Sequence, residues 1–518
     1  MIHNPKKVFL LYLAALSLAG AATIYLATSR QGPGVSTDAA IMLSASGNLL
    51  KGLGLVDYRG FVLTQYPPLY SLLLALGSLL FRQTPFVVSW ALTGIVFAAI
   101  VWFSGLYFYA AFEEARLLAY FAAFIVFSST SLIEISSNAA SDPLFLLIAL
   151  GFLLLATAYL RSHDGRYLIG AGVLTVLACF ERYAGLSLVI TGAFLIALDG
   201  RKDLRKAILL SAAFAVCTAL PIFLWGYLHN APVNGTIFGS HQPADPVQDF
   251  ATGVEKVLYW FIPYRIISFV GPVLLFALIL GVWLLLLLLT TRSLRVFQNL
   301  LTPQLLPSAV FLVVYGAMLI FKVSTYELKA LTTDRIHIIA LPSLLIVGGS
   351  LFMPLLAASL RKLGGRPVVG LAMLLFVAWS VYPLSKTQEY LQKSIANGDA
   401  SAYNLINKGS IRTSALAKYL GGLAASPKTI YTNGSARAWF IMDRQVEPSP
   451  LLQPNDRLNY LENQYAHWPG AGQSVYVVWF HSEEYKTLYA TPKELQAVAN
   501  LQQIYADADG AVYLATSR

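Results

Sequence analysis

The stretch SSNAASDPLFLLIALGFLLLA, residues 136–156, decides how this chain is read. It holds a single charge, Asp142, followed by Pro143 and an apolar run to Ala156. Asp before Pro is ordinary helix-start chemistry, since the missing proline N–H has no partner to lose in a first helical turn. The run behind it reads as a helix entering hydrocarbon, which places Asp142 where the membrane begins. The same pattern recurs along the chain. Of 518 residues, 57% are hydrophobic and 12% charged, a composition that excludes an ordinary soluble domain.

Apolar segments at about 8–28, 86–109, 117–133, 143–160, 167–181, 183–198, 207–228, 267–290, 305–321, 336–357 and 368–384 read as about 11 transmembrane helices. An open sheet cannot satisfy its backbone in lipid, so the spans are helical. The pair 167–181 and 183–198 reads either as two spans around Glu181-Arg182 or as one broken element. Pro67–Phe81 is apolar enough to span, but counting it would reverse every later basic loop. It reads instead as a short helix on the outer surface, opened by Pro67-Pro68.

Lys6-Lys7, Arg161 with Arg166, Arg201-Lys202 with Arg205-Lys206, Arg292 with Arg295, and Arg361-Lys362 with Arg366 all fall on one side of that span list. The positive-inside rule puts them in the cytoplasm, with the amino terminus inside and the tail outside. The expected domains are a transmembrane catalytic part, 1–384, and an extracytoplasmic accessory part, 385–518. The tail has twelve Lys and Arg against eleven Asp and Glu, so nearly all of the net +10 lies in the membrane part. It is topological charge and implies no nucleic-acid partner. In the tail, 429–433, 474–480 and 511–516 read as strands and 400–420 and 492–505 as helices, giving a small α/β domain. Cys179 and Cys217 lie within predicted spans and read as buried small hydrophobes.

Charged residues at the outer edge carry the functional signal. Asp38 begins a short helix after the first span, with Ser36 or Thr37 as its cap. It reads either as part of the helix start or as a carboxylate that takes a proton from a hydroxyl. Asp142, with Asp38 or Glu134, makes an oxygen set of the kind that holds a divalent ion. Arg182 reads as the partner of Glu181 or as a receptor for an anionic headgroup. Lys322, Lys329 and Arg335 sit where the positive-inside rule does not ask for them and suit a phosphate. Asp334 is the competing partner for Arg335. His337 reads as a packing residue. The turn-rich loop 229–265 reads as a cover.

The stretches TDAAIMLSASGNLLKGLGL (37–55), YPPLYSLLLALGSLLF (66–81), 136–156, GAGVLTVLACFERYAGL (170–186) and DRIHIIALPSLL (334–345) together resemble the GT-C-fold glycosyltransferases. The resemblance is greatest to the group of the protein O-mannosyltransferases and aminoarabinose transferases. It implies transfer of a sugar from a polyprenyl-phosphate donor to an acceptor hydroxyl at the outer membrane face, with inversion. By that resemblance Asp38 and Asp142 are the catalytic carboxylates, and Arg182, Lys322 and Arg335 bind the donor phosphate. Tyr66 and Tyr183 contact substrate. Mg²⁺ or Mn²⁺, held by Asp38 and Asp142, is an optional cofactor. The acceptor is a lipid, a glycan or a protein, and membrane lipids surround the chain. The pattern departs from the family where Ala39 follows Asp38 and Ile336 follows Arg335. The rival readings are a lipid or glycan transporter and a noncatalytic assembly protein.

Overall fold

The structure is a computed structural model that describes residues 5–200, 203–238, 246–291, 300–325, 333–363, 365–398, 401–451, 465–482 and 489–518. It divides into two compact units. The first contains residues 1–29, 64–70 and 90–396, and the second contains 30–63, 71–89 and 397–518.

The first unit is helical. Among the described residues six helices are long and apolar enough to cross a membrane: Pro5–Ala27, Pro85–Ala111, Asp142–Ser162, Leu204–Asn234, Asp334–Met353 and Pro367–Asn397. There are eight if each of two bent pairs is one span. Arg116–Ser128 with Thr130–Ser136 bends by 49°, and Tyr264–Val270 with Pro272–Leu286 bends by 95°. The expected segments 167–181, 183–198 and 305–321 are also helical, and for the last two the apolar helices Tyr183–Asp199 and Leu306–Phe321 are shorter. Leu69–Phe81 is a helix of 13 residues. At about 1.5 Å per residue it falls well short of a hydrocarbon core about 30 Å thick.

Lipid offers no hydrophobic drive between helices, so small residues and hydrogen bonds set their approach. A Cβ at Gly105 would stand 2.3 Å from Leu13, and one at Gly94 would stand 2.6 Å from the Tyr25 ring. These glycines let Pro5–Ala27 lie close to Pro85–Ala111. The Tyr25 hydroxyl donates to the Ala91 carbonyl (2.7 Å) and the Trp90 indole to Thr28 (2.9 Å).

Helices Asp142–Ser162 and Gly165–Glu181 form a hairpin. Its turn is made by His163 at φ 55° and by Asp164, whose side chain accepts from the Arg166 N–H at 2.9 Å. The second helix ends at Arg182, which is extended (φ −151°, ψ 142°), and the chain re-enters through the turn Tyr183–Gly185 into Leu186–Asp199. The expected pair is therefore two helices separated at Arg182. Gly185 makes this corner feasible, since a Cβ there would stand 2.4 Å from the backbone of Ala178 and Cys179.

In the second unit the helix Thr37–Leu50 is capped by Ser36, whose hydroxyl accepts from the Ala39 N–H at 3.2 Å. This settles the choice left open between Ser36 and Thr37. Among the described residues the tail builds a five-stranded sheet from β1 (Ile430–Thr432), β2 (Glu447–Pro448), β3 (Ser474–Phe480), β4 (Ala499–Ala506) and β5 (Gly510–Ser517). Their order is β2-β1-β3-β5-β4. β1 runs parallel to β2 and β3, and β5 runs antiparallel to β3 and β4. Trp468, Val475, Val477, Leu495 and Ala515 lie in its core.

The two expected helices of the tail are corrected here. Residues 492–505 are not one helix. Thr491 and Glu494 form a capping box around the short helix Pro492–Leu495, and the chain then turns into β4. Pairing of Ala499 with Ser517 and of Ala506 with Ala511 outweighs local helix preference, and Asp509-Gly510 closes the hairpin. The expected helix 400–420 is likewise replaced by Gly409–Arg412 and Ala415–Leu423. The helix that begins at Gly365 runs on to Asn397, past the expected boundary at 384.

Glu447 makes the tail sensitive to pH. Burial pushes its carboxyl above the ordinary glutamate range, Asp57 pushes the same way, and a hydrogen bond from Gln445 opposes them. The folded state thus keeps a proton that the unfolded chain has released, over a window opening at about 4.3 and running upward. Within that window stability falls as pH rises. Glu447→Gln is expected to flatten the fall when unfolding of the tail is followed from about pH 4 to about pH 7. Equal slopes for the two proteins would contradict it.

Candidate functional site

Three of the expected residues meet in the first unit. Asp142, at the start of Asp142–Ser162, is buried with 2% of its side chain exposed. Its Oδ1 accepts from Arg182 at 2.8 Å. Its Oδ2 accepts from Arg335, from Nη2 at 2.9 Å and from Nε at 3.2 Å. Arg182 also donates to the Ser141 hydroxyl at 3.0 Å. The extended backbone at the helix break turns Arg182 toward this corner. Arg335 reaches it from the short helix Asp334–His337.

The local pairings weighed from sequence do not form. Arg182 pairs with Asp142, and both oxygens of Glu181, itself 2% exposed, have no hydrogen-bond partner among the described residues. Arg335 also pairs with Asp142, while Asp334 accepts from the Ser131 hydroxyl at 2.7 Å. The residue ahead of the Asp142–Ser162 helix is Ser141, which makes no side-chain cap bond. The Asp142 carboxylate is occupied by the two arginines.

Two guanidiniums on both carboxylate oxygens do not fit a divalent ion at Asp142, because a third cation there would be repelled. Among the described residues no group of three or more His, Cys, Asp or Glu is placed to hold a metal.

The remaining expected residues are placed as follows. Asp38 is half-buried in the first turn of Thr37–Leu50, in the second unit. Tyr66 is half-buried in the first unit. The Tyr183 hydroxyl donates to the Thr64 carbonyl (3.2 Å) and accepts from the Asn230 amide (2.8 Å), so it braces the break after Arg182. Lys322 lies in the last turn of Leu306–Thr325 with its side chain outside the described set, and Lys329 lies outside the described residues. His337 is buried, in line with packing. The expected loop 229–265 instead carries the helices Ala231–Asn234 and Pro246–Tyr259; His229 stacks on Trp225 with ring centroids 4.1 Å apart, and His241 lies outside the described residues.

No family model matches this chain, and no curated protein matches it by sequence. Solved structures do match. ArnT from Cupriavidus metallidurans bound to undecaprenyl phosphate aligns with a TM-score of 0.60 at 11% identity, over 99% of this chain and 98% of that one. Its apo state gives 0.59 at 12% identity, over the same shares. The Archaeoglobus fulgidus oligosaccharyltransferase tethered to an acceptor peptide gives 0.53 at 12% identity, over 97% of this chain and 74% of that one. This chain is a GT-C-fold membrane protein.

The GT-C likeness is one of fold, and the site must be argued from its own residues. Sequence reasoning missed three of them. Tyr70 and Tyr315 are buried within electrostatic reach of Asp142, and the Tyr315 hydroxyl donates to the Ile336 carbonyl at 2.9 Å. Asn230 lies in a π-helical turn beyond Pro221 and bonds both Tyr183 and the Ile237 carbonyl. A polar residue at the end of an apolar helix was the available signal for Asn230. The tyrosines carried none that separates them from ordinary core aromatics.

Proposed function

We propose that this protein transfers a sugar from a polyprenyl-phosphate donor to an acceptor hydroxyl at the outer face of the membrane, with inversion at the anomeric carbon. The carrying observation is the convergence of Arg182 and Arg335 on one buried carboxylate, Asp142. A guanidinium has five N–H donors, so two of them converging on one point make a donor-rich, cationic corner. The anion that suits a pair of planar forks is a phosphate. The match to a structure that holds undecaprenyl phosphate supports the same reading.

As the bond from the sugar to the phosphate breaks, negative charge grows on the leaving oxygen. Arg182 and Arg335 stabilise it, with Lys322 as a further cation by its sequence position. Asp142 holds the two arginines in place. It is not the proton acceptor, because both of its oxygens already take hydrogen bonds. Asp38 is the proposed proton acceptor from the attacking hydroxyl. Tyr66 is proposed to contact substrate, and Tyr183 acts by bracing the Arg182 corner.

Purified protein in nanodiscs is expected to glycosylate an added acceptor fraction from an undecaprenyl-phosphate monosaccharide. Asp38→Asn should lower turnover by about 10²–10⁴-fold while donor binding is kept. Turnover with nucleotide sugars alone, in lipid free of polyprenyl phosphate, would overturn the donor class. Near-normal turnover of Asp38→Asn would overturn that residue's role.

The proposed orientation puts the amino terminus in the cytoplasm and the tail outside. It rests on the basic loops. With Cys179 and Cys217 replaced by Ser, a cysteine at Ser482 should react with an impermeant thiol reagent on intact cells. Reaction only after permeabilisation would reverse the orientation and move the proposed site to the cytoplasmic face.

A further inference from the structure

We propose that Glu181 is a specificity-determining residue whose carboxyl accepts hydrogen bonds from the hydroxyls of the donor's sugar. The inference rests on the reading of Arg182 and Arg335 as the seat of a lipid phosphate. Glu181 is 2% exposed, and neither carboxyl oxygen has a hydrogen-bond partner among the described residues. A buried polar group left unpaired is costly, and native proteins keep few of them without cause. Glu181 is also the last residue of helix Gly165–Glu181, where the helix dipole disfavours an acid. Two penalties fall on one side chain, and among the described residues no hydrogen bond offsets the first.

Its position explains what would. Glu181 directly precedes Arg182, so their Cα atoms are about 3.8 Å apart. Its carboxyl lies within electrostatic reach of the Arg182 guanidinium and of Asp142. The Arg182 side chain itself turns to Asp142 and Ser141, which leaves Glu181 behind. A sugar bonded directly to a phosphate held by Arg182 brings hydroxyl donors to the neighbourhood of that carboxyl. An acceptor pair that is satisfied only by substrate discriminates strongly against ligands that lack the donor.

The test compares two probes, undecaprenyl phosphate and a panel of undecaprenyl-phosphate hexoses containing β-linked glucose and mannose. Wild-type protein is expected to bind at least one sugar-bearing lipid more tightly than the bare lipid phosphate. Glu181→Gln and Glu181→Met should remove that gain, about 10- to 100-fold, the worth of one or two hydrogen bonds, and leave the bare lipid's affinity unchanged. The melting temperature of ligand-free Glu181→Met should stay level or rise, since an unpaired buried acid is replaced by an apolar chain of similar size. A fall in that temperature, with both lipids weakened alike, would make Glu181 structural and overturn the proposal. So would a sugar increment that survives both substitutions, or wild-type protein that gains no affinity from any sugar in the panel. Failure of the bare lipid phosphate to bind the wild type would instead overturn the phosphate seat on which the inference rests.

Discussion

Asp142→Asn is expected to destabilise the folded protein by about 3–5 kcal/mol, the range for removing one partner of a buried ion pair. The substitution keeps the side-chain shape but leaves Arg182 and Arg335 facing a neutral amide. Asp142 is the group that offsets both: Oδ1 takes Arg182 at 2.8 Å and Oδ2 takes Arg335 at 2.9 Å. Thermal unfolding in a single detergent, with the wild type alongside, measures the loss. The replacement of all three groups, Asp142→Leu with Arg182→Met and Arg335→Met, should recover much of it, because a fully apolar cluster needs no paired charges. That variant should be inactive. An Asp142→Asn protein with an unchanged melting temperature would show that the three charges are solvated well enough not to depend on one another.

Arg335→Ala is expected to lower turnover by about 10²–10³-fold, the usual consequence of removing one donor aimed at developing negative charge. Donor affinity should fall with it. Arg335→Lys should fall between the two, since it keeps the charge but loses the planar fork that places Nε and Nη2 together on Asp142 Oδ2. Turnover and undecaprenyl-phosphate binding measured on the same preparations separate the two effects. Because Arg182 still holds Asp142, both variants should fold. Unchanged donor affinity in both would remove Arg335 from the phosphate seat and leave it an internal counter-ion.

Much of this was legible in the chain. Apolar runs bounded by turn residues marked the helices, and Ser36 or Thr37 marked the start of the one that Ser36 caps. Leu69–Phe81 was separable from the spans by the sidedness of the later basic loops. The segment after Thr491 was misread because its residues suit either a helix or a strand. Only the presence of β5 beside it decides for the strand.

The sequence by itself determined a many-helix membrane protein with a mixed tail, because the exclusion of polar backbone and charge from lipid acts on every stretch locally. It also marked Asp142, Arg182 and Arg335 as charges out of keeping with their surroundings. Tertiary structure alone decided their partners. Each arginine had an acid as its immediate neighbour, Glu181 or Asp334, and each instead bonds Asp142, which lies 40 residues before Arg182 and 193 before Arg335. The physical reason is direction. Side chains on adjacent residues of a helix end point apart, and the break at Arg182 turns its guanidinium away from the carboxyl that precedes it. Ion pairs in a buried corner follow where side chains point and not how close they stand in sequence.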